Sequence, residues 1–214
     1  MLEQHQLDLL RVLSAYESYD EGHAYPWANH LFRSTGFRRA HLDVVDARDT
    51  KKLYMMHLCI LPPVHCGAPI YGFDLIAGPN KVTGAFHDFS PIAGNTALDH
   101  WFAEQVSGLA WSKPRELPDW ARQIFSGKMV AAGNISEANE LQKVLSLSLY
   151  TLRHYLDSLA VLCDKPEERN YTAEQNRYCH FQKQNPHTPK VMASLGFDAD
   201  TVRHFIDECL FPEI

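Results

Sequence analysis

Two titratable residues stand where buried strands should have none. The run "LYMMHLCILPP" is apolar around His57, and "PIYGFDLIAG" is apolar around Asp74. A charged group in such a setting costs several kcal/mol unless it is paired or used. A neighbouring His and Asp can share a proton and give it up in stages, which is general acid–base chemistry. The loop between the runs implies a hairpin pairing residues whose numbers sum to about 131, which sets His57 opposite Asp74 on one face.

Side chains alternate along a strand, so parity sorts the rest of that face. Met55 and Cys59 join His57, while Gly72 and Ile76 join Asp74. The strand "AHLDVV" adds His41 and Asp43, and "KVTGAF" adds Thr83. A plain solvent face would carry Lys, Glu and Thr. Met, Cys and Ile beside acids and histidines describe a largely apolar cleft with a few convergent titratable groups. Other local candidates are weaker. His87, Asp88 and Ser90 in "FHDFSP" read as strand exit and turn rather than a hydrolase site, and His154 reads as a packed or surface histidine. His65–Cys66 in a Pro-flanked loop lacks metal-ligand spacing, so no metal site is expected.

The elements that must hold these residues follow from periodicity. "LEQHQLDLLRVLSAY" predicts an N-terminal helix, and residues 40–91 predict four strands joined by connections too short for crossover helices. The second half is helical, with Leu141, Leu145, Leu149, Leu152, Leu156 and Leu159 forming one stripe. Thr172 and Gln175 predict a capping box, Pro189 a helix start, and Gly196 the position just past that helix's end. Helix, strand meander, then helices make an α+β chain of one domain over residues 1–214, with helices on both faces of an antiparallel sheet.

Bulk properties fit that reading. Hydrophobic residues are 45% and charged residues 21% of 214, and the formal charge of −6 carries no overall basic character for nucleic acid. No apolar run approaches a membrane span of about 18 residues. Without a secretory signal pattern, a cytoplasmic location is expected, and a monomer with it. The five cysteines (Cys59, Cys66, Cys163, Cys179 and Cys209) form no C-x-x-C pair and are expected to be reduced, packed thiols.

From "FRRAHLDVV" to the C-terminus the chain resembles the ferredoxin-dependent bilin reductases. The resemblance is carried by "MHLCILPP", "PIYGFDLIAGP", "HDFSP", "PRELPDW" and "NPHTPKVM…GF…LF" in that order. It implies a three-layer α/β/α sandwich holding an open-chain tetrapyrrole, biliverdin IXα, between sheet and C-terminal helices. It also implies no bound cofactor, with electrons delivered singly by a reduced [2Fe–2S] ferredoxin. By matching motif, Asp74 is the central proton donor and His57 its hydrogen-bonding partner. Asp43 stands where phycocyanobilin-forming members have a Glu that protonates the D-ring vinyl group. Arg115 and Thr83 fall at propionate-contacting positions, where their charge and hydroxyl suit a carboxylate. Met55 and Asn185 are carried over as substrate-binding, and His187 replaces a lysine near the propionates.

Two departures bear on the product. Asp43 is one methylene shorter than Glu, and Pro186 occupies the place where a branch making phycoerythrobilin with two aspartates has its second acid. The resulting expectation is four-electron reduction of biliverdin IXα to phycoerythrobilin through radical intermediates. Phycocyanobilin formation and two-electron reduction to 15,16-dihydrobiliverdin are the alternatives, and a bilin-binding carrier is the non-enzyme one. Ferredoxins are acidic, so docking would use a local basic patch drawn from Lys113, Lys128, Arg177, Lys183 and Lys190.

Overall fold

The computed structural model describes residues 1–22, 25–94, 96–165 and 167–214. Its frame is a seven-stranded antiparallel sheet in sequence order: β1 (Glu17–Tyr19), β2 (Ala28–Arg33), β3 (Arg39–Ala47), β4 (Leu53–Leu61), β5 (Ile70–Ala77), β6 (Val82–Ser90) and β7 (Val130–Ile135). Short links from β2 to β6 pair these strands with their sequence neighbours as a meander, and a longer, helix-containing connection over residues 91–129 returns β7 to the open edge of β6.

Alternation then divides the two faces. On β4, Tyr54, Met56, Leu58 and Ile60 are fully buried, whereas Met55 and His57 are half-buried. On β5, Tyr71, Phe73 and Leu75 are buried, whereas Gly72, Asp74 and Ile76 are half-buried. The fully buried face packs on α1 (Leu2–Leu13), α3 (Ala97–Val106) and the long α5 (Ala138–Leu162), through Leu9, Leu13, Phe102, Leu152, Tyr155 and Leu159, while the one-turn helices α2 (Arg48–Lys51) and α4 (Asp119–Arg122) lie in connections between strands. Burial of such side chains stabilises by roughly 1.5–3 kcal/mol each.

The other face meets α6 (Thr172–Gln182), α7 (His187–Ser194), α8 (Ala199–His204) and a π-helix over Phe205–Leu210. Tyr178, Met192, Phe205 and Cys209 cover Cys59, Leu61 and Ile70 at one end of that face. The same strands leave Met55, His57, Asp74 and Ile76 half-open further along. The architecture is therefore the expected α+β sandwich of helix, sheet and helix layers. Among the described residues no helix is long and apolar enough to cross a membrane.

Several local expectations need correction. β1, β2 and β7 were not foreseen, being short or broken by polar and small residues. Thr172 opens α6, but no capping box forms there. The Gln175 side chain instead accepts from Arg38 at 2.7 Å and donates to the Pro62 carbonyl at 3.0 Å. The reciprocal box is at Thr96 and Asp99, ahead of α3. α7 begins two residues before Pro189, and Gly196 follows its end with φ +100, the conformation glycine suits. The cysteines are not all reduced: Cys66 and Cys163, 97 residues apart, form a disulfide, while Cys59, Cys179 and Cys209 are free and buried. That bond ties the β4–β5 loop to the end of α5, where the Gly67 N–H also donates to Glu167 at 2.8 Å.

Closing so long a loop restricts the unfolded chain, so reduction should cost about 2–5 kcal/mol of stability. Thermal unfolding with and without dithiothreitol checks this. Cys66→Ser and Cys163→Ser should match the reduced parent and show no further response to reductant.

Candidate functional site

The hairpin register sets the site. His57 on β4 pairs with Asp74 on β5, as the sum rule required, and also with Asp43 on β3. Met55 pairs with Ile76, and His41 with Cys59, on the same face. Three sequence-predicted residues, Asp43, His57 and Asp74, therefore lie in one row across three strands, with Met55 beside them as apolar floor.

Burial governs their chemistry. The Asp74 carboxyl is pushed up to about 7, chiefly by desolvation, with the Leu75 backbone N–H pulling weakly the other way. Desolvation also pushes Asp43 up to about 7, opposed by a hydrogen bond from Trp27 and reinforced by the nearby Asp74 charge. His57 moves in the opposite direction, down to about 4, because burial disfavours the imidazolium and Arg39 repels it. At neutral pH the imidazole is thus uncharged while the acids are poised to hold or release a proton. Burial thus favours a proton on the acid over an imidazolium. Among the described residues the buried Nδ1 of His57 has no hydrogen-bond partner, so the ring keeps a polar atom for a ligand. Phe211 and His41 flank it edge-on at ring distances of 5.7 and 6.4 Å.

At the far rim, the structure brings Arg115 and Thr83 together. Arg115 donates to the Thr83 carbonyl at 2.6 Å, and its guanidinium lies 5.8 Å from the centre of the Phe86 ring. Phe86 is the β6 partner of Asp74, so the arginine arches over the site face. Gly133 makes that path possible, since a Cβ there would sit 2.6 Å from Arg115 Nε. The guanidinium is solvent-accessible at the edge and suited to a carboxylate. Thr83 departs from regular alternation. A register irregularity at Ile76 and Ala77 falls beside it, its hydroxyl donates to the Ile76 carbonyl at 3.0 Å, and Gly84 and Phe86 are the β6 residues that face with Asp74.

The other predicted contacts are not gathered at the row. Asn185 lies between α6 and α7 and uses its side-chain oxygen to accept from the His187 backbone N–H at 3.0 Å. His187 is exposed at the first position of α7. Among the described residues neither is hydrogen-bonded to Asp43, His57 or Asp74. Of the basic residues, Lys183 pairs with Glu213 at 2.9 Å, and Arg177 reaches Gln123 at 3.4 Å. "HDFSP" is structural: Ser90 ends β6 and donates to Asp88, which also accepts from Ser126. His154 stacks on Trp101.

Sequence reasoning missed Trp27, whose indole N–H donates to Asp43, and Asn29, whose side-chain oxygen bonds the His41 ring. Both arrive on or beside β2, which pairs Asn29 with Asp43. Recognising that strand in "ANHLFR" was the signal needed.

Residues 1–212 match the family model for ferredoxin-dependent bilin reductase. Phycocyanobilin:ferredoxin oxidoreductase of Synechococcus sp. (strain CC9605) is 32% identical over 205 residues, covering 89% of this chain and 78% of that protein. The protein of that name from Gloeobacter violaceus is 28% identical, covering 93% and 79%. Among solved structures, PcyX is 31% identical with a TM-score of 0.74, covering 100% of this chain and 99% of the other. Tomato phytochromobilin synthase, solved in complex with biliverdin, shares the fold at a TM-score of 0.75 and 12% identity, covering 98% and 82%.

The buried acid has a measurable cost. An acid whose pKa is raised on folding contributes most below its ordinary value near 3.8, and that contribution is lost as pH rises through about 7. Asp74→Asn should therefore match the parent in stability below about pH 4 and exceed it by roughly 2–4 kcal/mol above pH 7. Denaturant unfolding across that range provides the check, and a pH-independent difference would contradict the raised pKa.

Proposed function

The chain belongs to the ferredoxin-dependent bilin reductases, enzymes that draw electrons from ferredoxin, and we propose that it reduces biliverdin IXα by four electrons to phycoerythrobilin. The observation that carries this reading is the row Asp43–His57–Asp74, in which one acid is half-open to the cleft and the other is buried and tethered. Asp74 serves as the central proton donor, and His57 hydrogen-bonds the pyrrole carbonyl region through its unpartnered nitrogen. Arg115 takes a propionate at the rim. Met55 packs under the tetrapyrrole, and Thr83, Asn185 and His187 contribute contacts from the periphery.

Four electrons enter singly from ferredoxin, and four protons accompany them. Protonation comes first, because a cationic bilin accepts an electron more readily. An acid near neutrality gives its proton and regains one from solvent without a large penalty in either direction. The protein thus supplies protons and geometry while the bilin carries the unpaired electron. Asp43, shorter than Glu and only 5% exposed, does not reach the D-ring vinyl group, which is spared. Pro186 at the head of α7 has no proton to give, so a second aspartate at that place plays no part.

Phycocyanobilin is the second reading, favoured by the names of the relatives from Synechococcus and Gloeobacter. Anaerobic turnover with biliverdin IXα, ferredoxin and a reducing system separates the two by product chromatography. Phycoerythrobilin is expected, and phycocyanobilin would overturn the role given to Asp43. Asp74→Asn should bind biliverdin with its affinity changed by less than about tenfold, yet stall with a bilin radical visible by absorbance and electron paramagnetic resonance. General acid–base groups contribute about 10²–10⁴-fold, so normal turnover of this variant would remove Asp74 as donor. Asp43→Glu should divert product toward vinyl reduction.

A further inference from the structure

Two acids share the site face, but they are held differently. Asp74 is half-buried on β5, with the Leu75 backbone N–H the one hydrogen bond among the described residues that favours its anion. Asp43 is nearly enclosed and accepts the indole N–H of Trp27. The donor itself is fixed: Trp27 stacks on Tyr25 at 5.0 Å and meets Phe197 and Phe205 edge-on at 5.3 and 5.2 Å. Swinging the indole away would dismantle that aromatic cluster, each pair of which is worth about 0.5–1.5 kcal/mol. Around Asp43, His57 faces it from β4, Asn29 from β2 and Asp74 from beyond His57, while Tyr25 and Cys209 lie close enough to feel its charge.

We propose that Trp27 is a positioning residue that sets product choice: its indole N–H tethers the Asp43 carboxylate on the β2 side and withholds it from the bilin lying over His57 and Asp74. Reduction of a vinyl group to ethyl consumes two electrons, which ferredoxin supplies, and two protons, one of which an acid at this place would have to deliver. Shortness alone limits the reach of Asp43. The tether adds a second restraint that acts even on a longer acid, so the two should be coupled rather than additive. This inference rests on the phycoerythrobilin-forming reading for its consequence, but not for the tether itself.

Trp27→Phe removes the donor and keeps an aromatic ring in the cluster. Benzothienylalanine at position 27 removes it while preserving the indole's shape, and decides the matter should the Phe variant fold poorly. In the free protein, carbon-13 NMR of labelled aspartate, assigned with Asp43→Asn, should show the Asp43 pKa rising by about one unit or more when the donor is lost. In turnover, Asp43→Glu combined with the donor loss should give several-fold more vinyl-reduced product than Asp43→Glu alone. An unmoved pKa overturns the tether whatever the product. A raised pKa with product ratios that merely add overturns the role in product choice. If the parent makes no phycoerythrobilin, the functional reading fails, and the pKa measurement still decides the tether.

Discussion

Desolvation of acid and base on one sheet face is the constraint on which this structure turns. A carboxyl near neutrality and an imidazole kept uncharged both require removal from water, and both weaken the fold that removes them. The meander answers this by dividing labour between its two faces. Tyr54, Met56, Leu58, Phe73 and Leu75 face α1 and α5 as a continuous apolar core, which frees the opposite parity of the same strands for His57 and Asp74. Because side chains alternate strictly, the order that secures the core also fixes where the titratable groups point. A slip of one residue would exchange the two sets, so strong burial on one side enforces accuracy on the other.

The second helical layer completes the site by covering only part of the face. Tyr178, Met192 and Cys209 seal the end occupied by Cys59, Leu61 and Ile70 and stop short of Asp74. The π-helix that ends this layer carries Cys209, whose carbonyl accepts from Arg39 at 2.6 Å, and is followed by Phe211, which lies against His57. π-Turns often occur at functional sites, where a widened turn re-aims side chains. Here it puts an apolar ring beside the imidazole and a buried guanidinium within electrostatic reach, both of which favour the neutral ring. A disulfide, an α6 glutamine and a loop carboxylate lock the β4–β5 loop at that sealed end, so the elements over the site are anchored outside it.

Much of this was legible before the coordinates. The His57–Asp74 pairing followed from the length of one loop, and the four central strands from apolar runs bounded by turn residues. What stayed hidden depended on contacts distant in sequence. β2 contains Asn29, His30 and Arg33 in six residues, so it lacks an apolar run, yet it supplies Asn29 to His41, and Trp27 just ahead of it supplies the donor to Asp43. Cys66 and Cys163 are brought together by the packing of α5 on the sheet, which no spacing rule reveals. Gln175 fits a capping pattern by sequence, but the half-buried Arg38 and the Pro62 carbonyl gave its amide stronger partners than the helix end did. The β5–β6 register, Asp74 with Phe86 and Ile76 with Gly84, turns the even residues of β6 toward the site, and an irregularity at Ala77 interrupts alternation beside Thr83; neither leaves much trace in composition.

The distinction between the two acids shows why residue type alone underdetermines chemistry. Asp43 and Asp74 have the same functional group, face the same histidine and are raised to about the same value. Their differences lie in the surroundings. Asp74 has burial with only the Leu75 backbone N–H, among the described residues, to favour its anion. Asp43 has burial with a donor held by three aromatic neighbours, so its anion is already solvated by the protein and its movement is restricted. An acid is available for transfer when the protein has dehydrated it without satisfying it. On the proposed mechanism, that criterion makes the β5 carboxyl the reactive one of this face and the carboxyl on the flank formed by β2 and β3 the restrained one.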